Sequence, residues 1–321
     1  MKLIYLMKYK LIQKIGSGSY GHVAKVSCGN QLFALKTIYM RDTPEQNMSI
    51  LTELLIILHN KSKHVVQLYG LFADETKISF LITYCQDRDV KHLIQNSNML
   101  PDHQIWKILI ETCYALHYLH QNNIIHRDLK PSNILLHKGT VKLCDFGVSC
   151  RINSDIGHAY SVVGTPYYLS PELITNKPYN SKVDVWSLGC VLYELIFLKP
   201  AFDYIGLGAI VNNIHDGTYI PRYSDTHSDS IQSLISLLIT IDPNERPSVD
   251  ELLRESPARD KRYLTHRYEL GLRDSHFPAF PTEAPATCQE WYQMFYDAKS
   301  KRSKITISDF RFSEFQKLPP L

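Results

Sequence analysis

The chain has 321 residues, with 35 Lys+Arg against 32 Asp+Glu and a formal net charge of +3. Hydrophobic residues make up 44% and charged residues 21%, ordinary proportions for a folded chain, which exclude global disorder and fibrous repeats. So small a net charge gives no bulk-electrostatic reason to expect a nucleic-acid partner, and at roughly 150 residues per domain the length suggests two domains or one large one.

In chain order, Met1-Lys2-Leu3-Ile4-Tyr5-Leu6-Met7-Lys8 places apolar residues behind a basic one. Lys8 and Lys10 cut that run before it reaches the length of a secretory signal, so it reads as a first strand. Strands are then predicted over 9–15, 22–26 and 31–36, the last pair joined by a Gly29-Asn30 hairpin signal. A helix follows, with Thr43 as N-cap, Pro44 at its first position, Gln46 closing a capping box and Ile50, Leu54, Ile57 and Leu58 keeping helical period. Two more strands are predicted over 65–70 and 78–84.

From about residue 100 the pattern turns helical. Ile105, Ile108, Leu109, Thr112, Leu116 and Leu119 form one apolar face, and further helices are predicted over 182–197, 231–240 and 249–253. Beyond about residue 255 the periodicity fades. No stretch approaches the about 18 apolar residues that cross a bilayer, so no membrane partner is expected. Seven cysteines (28, 85, 113, 144, 150, 190 and 288) without C-x-x-C spacing argue against a disulfide framework and a zinc site, and for reduced thiols in the cytosol or nucleus.

Chemistry enters with Gly16-Ser17-Gly18-Ser19-Tyr20-Gly21. A G-x-G-x-x-G run also marks dinucleotide-binding turns, but those lead into a helix, and this one leads into the strand Val23-Ala24-Lys25-Val26. It is a hairpin able to fold over phosphates, or a plain turn. Lys36 ends the third strand, and Glu53 sits among Leu and Ile on the helix, where a carboxylate needs a cation; Lys36 is the candidate. Then come His126-Arg127-Asp128-Leu129-Lys130-Pro131-Ser132-Asn133, Asp145-Phe146-Gly147 and Ser170-Pro171-Glu172.

In this order and spacing the motifs resemble the eukaryotic protein kinases, from about residue 9 to 253. The resemblance implies an α+β, bilobal protein-kinase fold, with a small antiparallel β-sheet N-lobe carrying one helix (about 1–84) and a larger, mainly α-helical C-lobe (about 85–255), followed by a C-terminal extension over 256–321. It implies ATP and Mg²⁺ as cofactors. Asp128 would accept the substrate hydroxyl's proton, Asn133 and Asp145 would hold the metal, and Lys130 would counter the transferring phosphate. Lys36, fixed by Glu53, would bind the α/β-phosphates under the backbone of Gly16–Gly21. Ile15, Val23, Ala34 and Leu135 would enclose the adenine, with Ile82 as gatekeeper, Thr83 and Cys85 as hinge, and Asp89 on the ribose.

Lys130 and Thr165, in Gly164-Thr165-Pro166, match the serine/threonine form of the family, so the expected partners are protein substrates with Ser/Thr acceptors. Architectural roles are implied for Arg127, Phe146, Gly147, a buried Glu172–Arg246 ion pair, and Asp184, which would cap the catalytic-loop backbone and do no chemistry. Ser161 lies where related kinases carry an activating phosphate, added by an upstream kinase or by autophosphorylation in trans. The wording Val163-Gly164-Thr165-Pro166-Tyr167-Tyr168-Leu169-Ser170-Pro171-Glu172 with Trp186-Ser187-Leu188-Gly189-Cys190 resembles the NIMA-related kinases. The rival is a scaffold of the same fold without catalysis, disfavoured because Lys36, Asp128 and Asp145 are all present. In the tail, Thr287 and Glu290 suggest a capped helix before Trp291, and Lys299-Ser300-Lys301-Arg302-Ser303-Lys304 is a basic cluster.

Overall fold

In the computed structural model, which describes residues 9–18, 21–40, 44–73, 76–151 and 166–255, the chain forms two compact units: 9–60 with 66–84, and 61–65 with 85–255. Outside the described residues lie the expected strand before residue 9, Thr43 of the capping box, Ser19 and Tyr20 of the glycine-rich turn, Ser161, Thr165 and the whole tail readings on 256–321.

The first unit is an antiparallel five-stranded sheet in the order β1-β2-β3-β5-β4 with one helix. Its strands are β1 (Lys10–Gly18), β2 (Gly21–Cys28), β3 (Gln31–Tyr39), β4 (Leu68–Ala73) and β5 (Lys77–Thr83). Register places Val26 opposite Phe33 and Ala24 opposite Leu35. With Cys28, Phe72 and Leu81 these residues form one buried cluster, and the period of two turns Ala34 and Lys36 to the other face. Helix α1 (Pro44–His59) starts where the Thr43-Pro44 signal predicts. From Ile50 on, Ile50, Leu51, Leu54, Leu55, Ile56 and Ile57 are all buried, every one worth about 1.5–3 kcal/mol of burial.

One strand is displaced from its predicted span of 65–70. Val65 instead bridges Leu143 in the second unit, and the Val66 carbonyl accepts from the Asn60 side-chain amide at 3.3 Å, so pairing in the sheet begins only at Leu68.

The second unit is mainly helical. It contains α2 (Val90–Gln95), α3 (Asp102–Gln121), β6 (Ile124–Ile125), a 3-10 turn (Pro131–Asn133), β7 (Ile134–His137), β8 (Thr140–Leu143), β9 (Cys150–Arg151), α4 (Pro171–Ile174), α5 (Lys182–Phe197), α6 (Leu207–His215), α7 (Asp229–Leu238) and α8 (Val249–Glu255). All six residues of the predicted α3 face are buried. Every residue of α5 from Val183 to Ile196 is buried, so this helix runs through the middle of the unit, which its apolar residues on all sides require. At Gly189 a Cβ would come within 2.7 Å of the Leu238 Cβ, so glycine is what lets α5 meet α7 so closely.

Candidate active site

In the first unit, the glycine-rich turn and one face of the sheet carry the predicted residues. Gly18 pairs with Gly21 across the β1–β2 turn, and a Cβ on Gly21 would stand 1.9 Å from the Thr37 carbonyl oxygen, so only glycine fits there. Val23 pairs with Lys36, and Ala34 with Ile82; with the strand period, these four side chains share one face. Ile15, on β1, is 43% exposed. Lys36 Nζ donates to both Glu53 oxygens, at 2.7 and 2.8 Å, and the Glu53 side chain is only 6% exposed. The pair inferred from the sequence is therefore formed, and the ammonium compensates a carboxylate that burial would otherwise penalise. At the end of β5, Thr83 donates its amide to the Gln67 carbonyl at 3.1 Å and its hydroxyl accepts from the Gln67 amide at 3.0 Å.

In the second unit, Cys85 is half-buried, and burial pushes its thiol up to about 12, so it is a neutral thiol. Asp89 caps α2, accepting from the His92 amide at 2.8 Å, and bridges backbone to backbone with Leu135 on β7.

The catalytic-loop segment is held from α5. Asp184 is fully buried and accepts from the His126 amide (2.9 Å) and His120 Nε2 (2.8 Å) on one oxygen, and from the Arg127 amide (2.8 Å) on the other. Burial pushes this carboxyl up, but the hydrogen bond and charge of His120, with His126, outweigh it and hold it below the ordinary carboxylate range. The anchoring explains how Arg127 keeps a left-handed φ of 65°, a conformation costing about 1–3 kcal/mol for residues other than glycine; Asp145 has a similar φ of 66°. His126 accepts the Asp128 amide on Nδ1 at 3.2 Å, which leaves Nε2 to donate to the Cys144 carbonyl, also 3.2 Å away. Its ring meets that of fully buried Phe146 edge-on at 5.2 Å.

Two predicted residues converge on one oxygen of a third. Lys130 Nζ donates to Asp128 Oδ2 at 2.6 Å, and Asn133 Nδ2 donates to the same oxygen at 3.0 Å and to the Asp128 carbonyl at 2.8 Å. The Asn133 carbonyl in turn accepts from the Cys144 amide at 3.0 Å, tying the residue before Asp145 to the turn that carries Asn133. Gly147 follows in the same partly buried stretch. Glu172 and Arg246 form the expected ion pair, bidentate at 2.6 and 2.9 Å, with the guanidinium also donating to the Thr240 and Ile241 carbonyls and stacked over Trp186.

Sequence reasoning missed two supports: His120 on Asp184, and Tyr179, whose hydroxyl accepts from Arg127 Nη1 at 2.8 Å. Each lies outside the motifs it serves, and nothing local distinguishes it from an ordinary polar residue.

A sheet unit with a paired lysine and glutamate, and a helical unit whose loop brings an aspartate, a lysine and an asparagine together, define a member of the protein kinase class. Residues 9–256 match the protein kinase domain family, and the chain belongs to it. It is 37% identical over 268 residues to serine/threonine-protein kinase Nek1 of Mus musculus, an alignment covering 82% of this chain and 22% of that protein. It is similar also to serine/threonine-protein kinase Nek8 of Danio rerio (35% over 253 residues, 77% of this chain and 36% of that protein). Probable serine/threonine-protein kinase nek3 of Dictyostelium discoideum is a further relative (38% over 259 residues, 77% and 23%). The NIMA-related resemblance is borne out, and this chain spans well under half the length of each of these relatives.

Proposed function

We propose that this chain transfers the γ-phosphate of ATP to serine and threonine hydroxyls of protein substrates, with Asp128 as the base. The observation that carries this reading is the meeting of Lys130 and Asn133 on Asp128 Oδ2. Two donors on one oxygen fix the carboxylate and turn Oδ1 toward an acceptor hydroxyl, whose proton it takes as the oxygen attacks phosphorus. Lys130, beside Asp128, carries positive charge to where charge develops on the transferring group. Lys36, held by Glu53, is suited to bind the α/β-phosphates, and Val23, Ala34 and Ile82 offer adenine an apolar face.

A divalent cation fits the residues present. Asn133 commits its amide nitrogen to Asp128, so its oxygen is the end for a metal, and with the Asp145 carboxylate it makes the hard-oxygen donor set that Mg²⁺ prefers. Bound there, Mg²⁺ supplies neutralising charge to the phosphates. We also propose Ser161, outside the described residues, as the activating phosphosite; mass spectrometry of active enzyme that always finds Ser161 bare would refute it.

The test of the main reading is transfer of labelled phosphate from ATP to a panel of serine, threonine and tyrosine peptides. Wild type is expected to label serine and threonine peptides, and Asp128→Asn to lose at least about 100-fold in kcat. Unchanged activity in the variant refutes the role of Asp128.

A further inference from the structure

The start of the segment after Asp145-Phe146-Gly147 is fastened to the catalytic loop at three points within the second unit. Strand β9 pairs with β6, Ile125 opposite Cys150 and Ile124 opposite Arg151. Ser149 Oγ donates to the His126 carbonyl at 3.2 Å. Arg127 Nε donates to the Val148 carbonyl at 2.5 Å. The third fastening depends on where one side chain points. Arg127 is fixed at its backbone by Asp184, but its guanidinium lies at the end of a long, flexible stem with substantial rotamer entropy. Tyr179, five residues before Asp184 in the stretch between α4 and α5, receives Nη1 on its hydroxyl at 2.8 Å. A guanidinium held at Nη1 by one element and at Nε by another has its plane set, since its donors form a rigid fork.

We propose that Tyr179 is a positioning residue: its hydroxyl orients Arg127 so that Arg127 holds Val148, and with it Asp145, in the arrangement phosphoryl transfer needs before any activating phosphate is added. The inference rests on the kinase reading above. Tyr179 touches no reacting atom. It supplies a support for basal turnover that an activation-segment phosphate, pairing with the same guanidinium, would duplicate or replace.

The experiment compares the full chain, wild type and Tyr179→Phe, in two states: phosphatase-treated, and after incubation with ATP and magnesium to full phosphorylation. Removing only the hydroxyl is expected to lower kcat of the phosphatase-treated enzyme about tenfold, as losing a hydrogen bond to a charged group should, with KM for ATP within about twofold. After phosphorylation the gap should close to less than about threefold. Tyr179→His, which keeps a polar acceptor, should recover part of the loss. An equal loss in both states, or no loss in the phosphatase-treated state, overturns the proposal. If wild type transfers no phosphate, the kinase reading fails by itself, and nitrogen-15 NMR of the Arg127 Nε–H still decides the contact. Its exchange with water should speed up by about tenfold or more in Tyr179→Phe at unchanged melting temperature, and unchanged exchange overturns the inference.

Discussion

Asp128, Lys130 and Asn133 lie within six positions of one another, yet what makes them a site is that two donors share one oxygen of the aspartate. Replacing Asn133 by alanine removes one of these donors together with the contact to the Asp128 carbonyl. It should lower kcat by about 10- to 1,000-fold, the range expected when one preorganised group in such a constellation is lost, with ATP-dependent peptide labelling as the measurement. Lys36 and Glu53 act as a pair in a different sense. Glu53→Gln keeps size and hydrogen bonding but removes the charge that holds the ammonium, so KM for ATP should rise while the sheet's thermal unfolding barely moves. A KM unchanged within about twofold would show that the ammonium needs no fixed partner.

At the scale of elements, glycine positions separate steric need from habit. Gly21 sits where a Cβ would strike the Thr37 carbonyl at 1.9 Å, so Gly21→Ala must force β2 and β3 apart. The expected cost is about 1–3 kcal/mol in urea unfolding, with the glycine-rich turn displaced. Gly208, inside α6, has nothing within 4 Å of the corresponding point. Gly208→Ala should therefore stabilise by about 0.5–1 kcal/mol through backbone entropy and helix propensity. The two substitutions are chemically identical, and opposite signs in one denaturation assay would test the distinction. Two of the shorter helices escaped the sequence pattern. Helices α2 and α6, of 6 and 9 residues, show too few turns for a period to declare itself, whereas the 16 residues of α5 were placed at their observed bounds.

At the scale of the whole molecule, two buried charged or titratable groups matter most in the helical unit. Arg246 spends its donors on Glu172 and on carbonyls of three other positions, with the side chain fully buried. Arg246→Ala strands a buried carboxylate and should cost about 3–5 kcal/mol, read from the urea midpoint. His64 is buried at the junction of the 61–65 segment with β8, its Nδ1 3.2 Å from the Val141 carbonyl. Burial, aided by the charges of Lys63 and Lys142 against that hydrogen bond, lowers its pKa to about 4. A folded-state value below the unfolded one means the unfolded chain binds the proton first. Stability is then full above about pH 6.5 and falls as pH drops toward 4. Between pH 7 and pH 5 the loss from this residue should be about 2 kcal/mol. His64→Gln should shrink that pH dependence by a similar amount, and an unaltered slope would assign it to other groups.

The sequence by itself determined the class of protein, because kinase chemistry needs particular residue types at nearly fixed separations: the glycines before a strand, Lys36, Glu53, the run from His126 to Asn133, and Asp145. It also determined the Lys36–Glu53 pair, since a charge placed among apolar residues needs a partner and few were on offer; the Glu172–Arg246 pair was implied by the family resemblance. The family resemblance already implied that Asp184 caps the catalytic-loop backbone, as it does; only the tertiary structure decided that His120 joins it there, and that Arg127 and Asp145, without being glycine, adopt left-handed backbones. It alone brought Tyr179 to Arg127, 52 positions away. These contacts join residues distant in sequence through single hydrogen bonds, which have no period and no local composition, so they exist only once packing has fixed where each element lies.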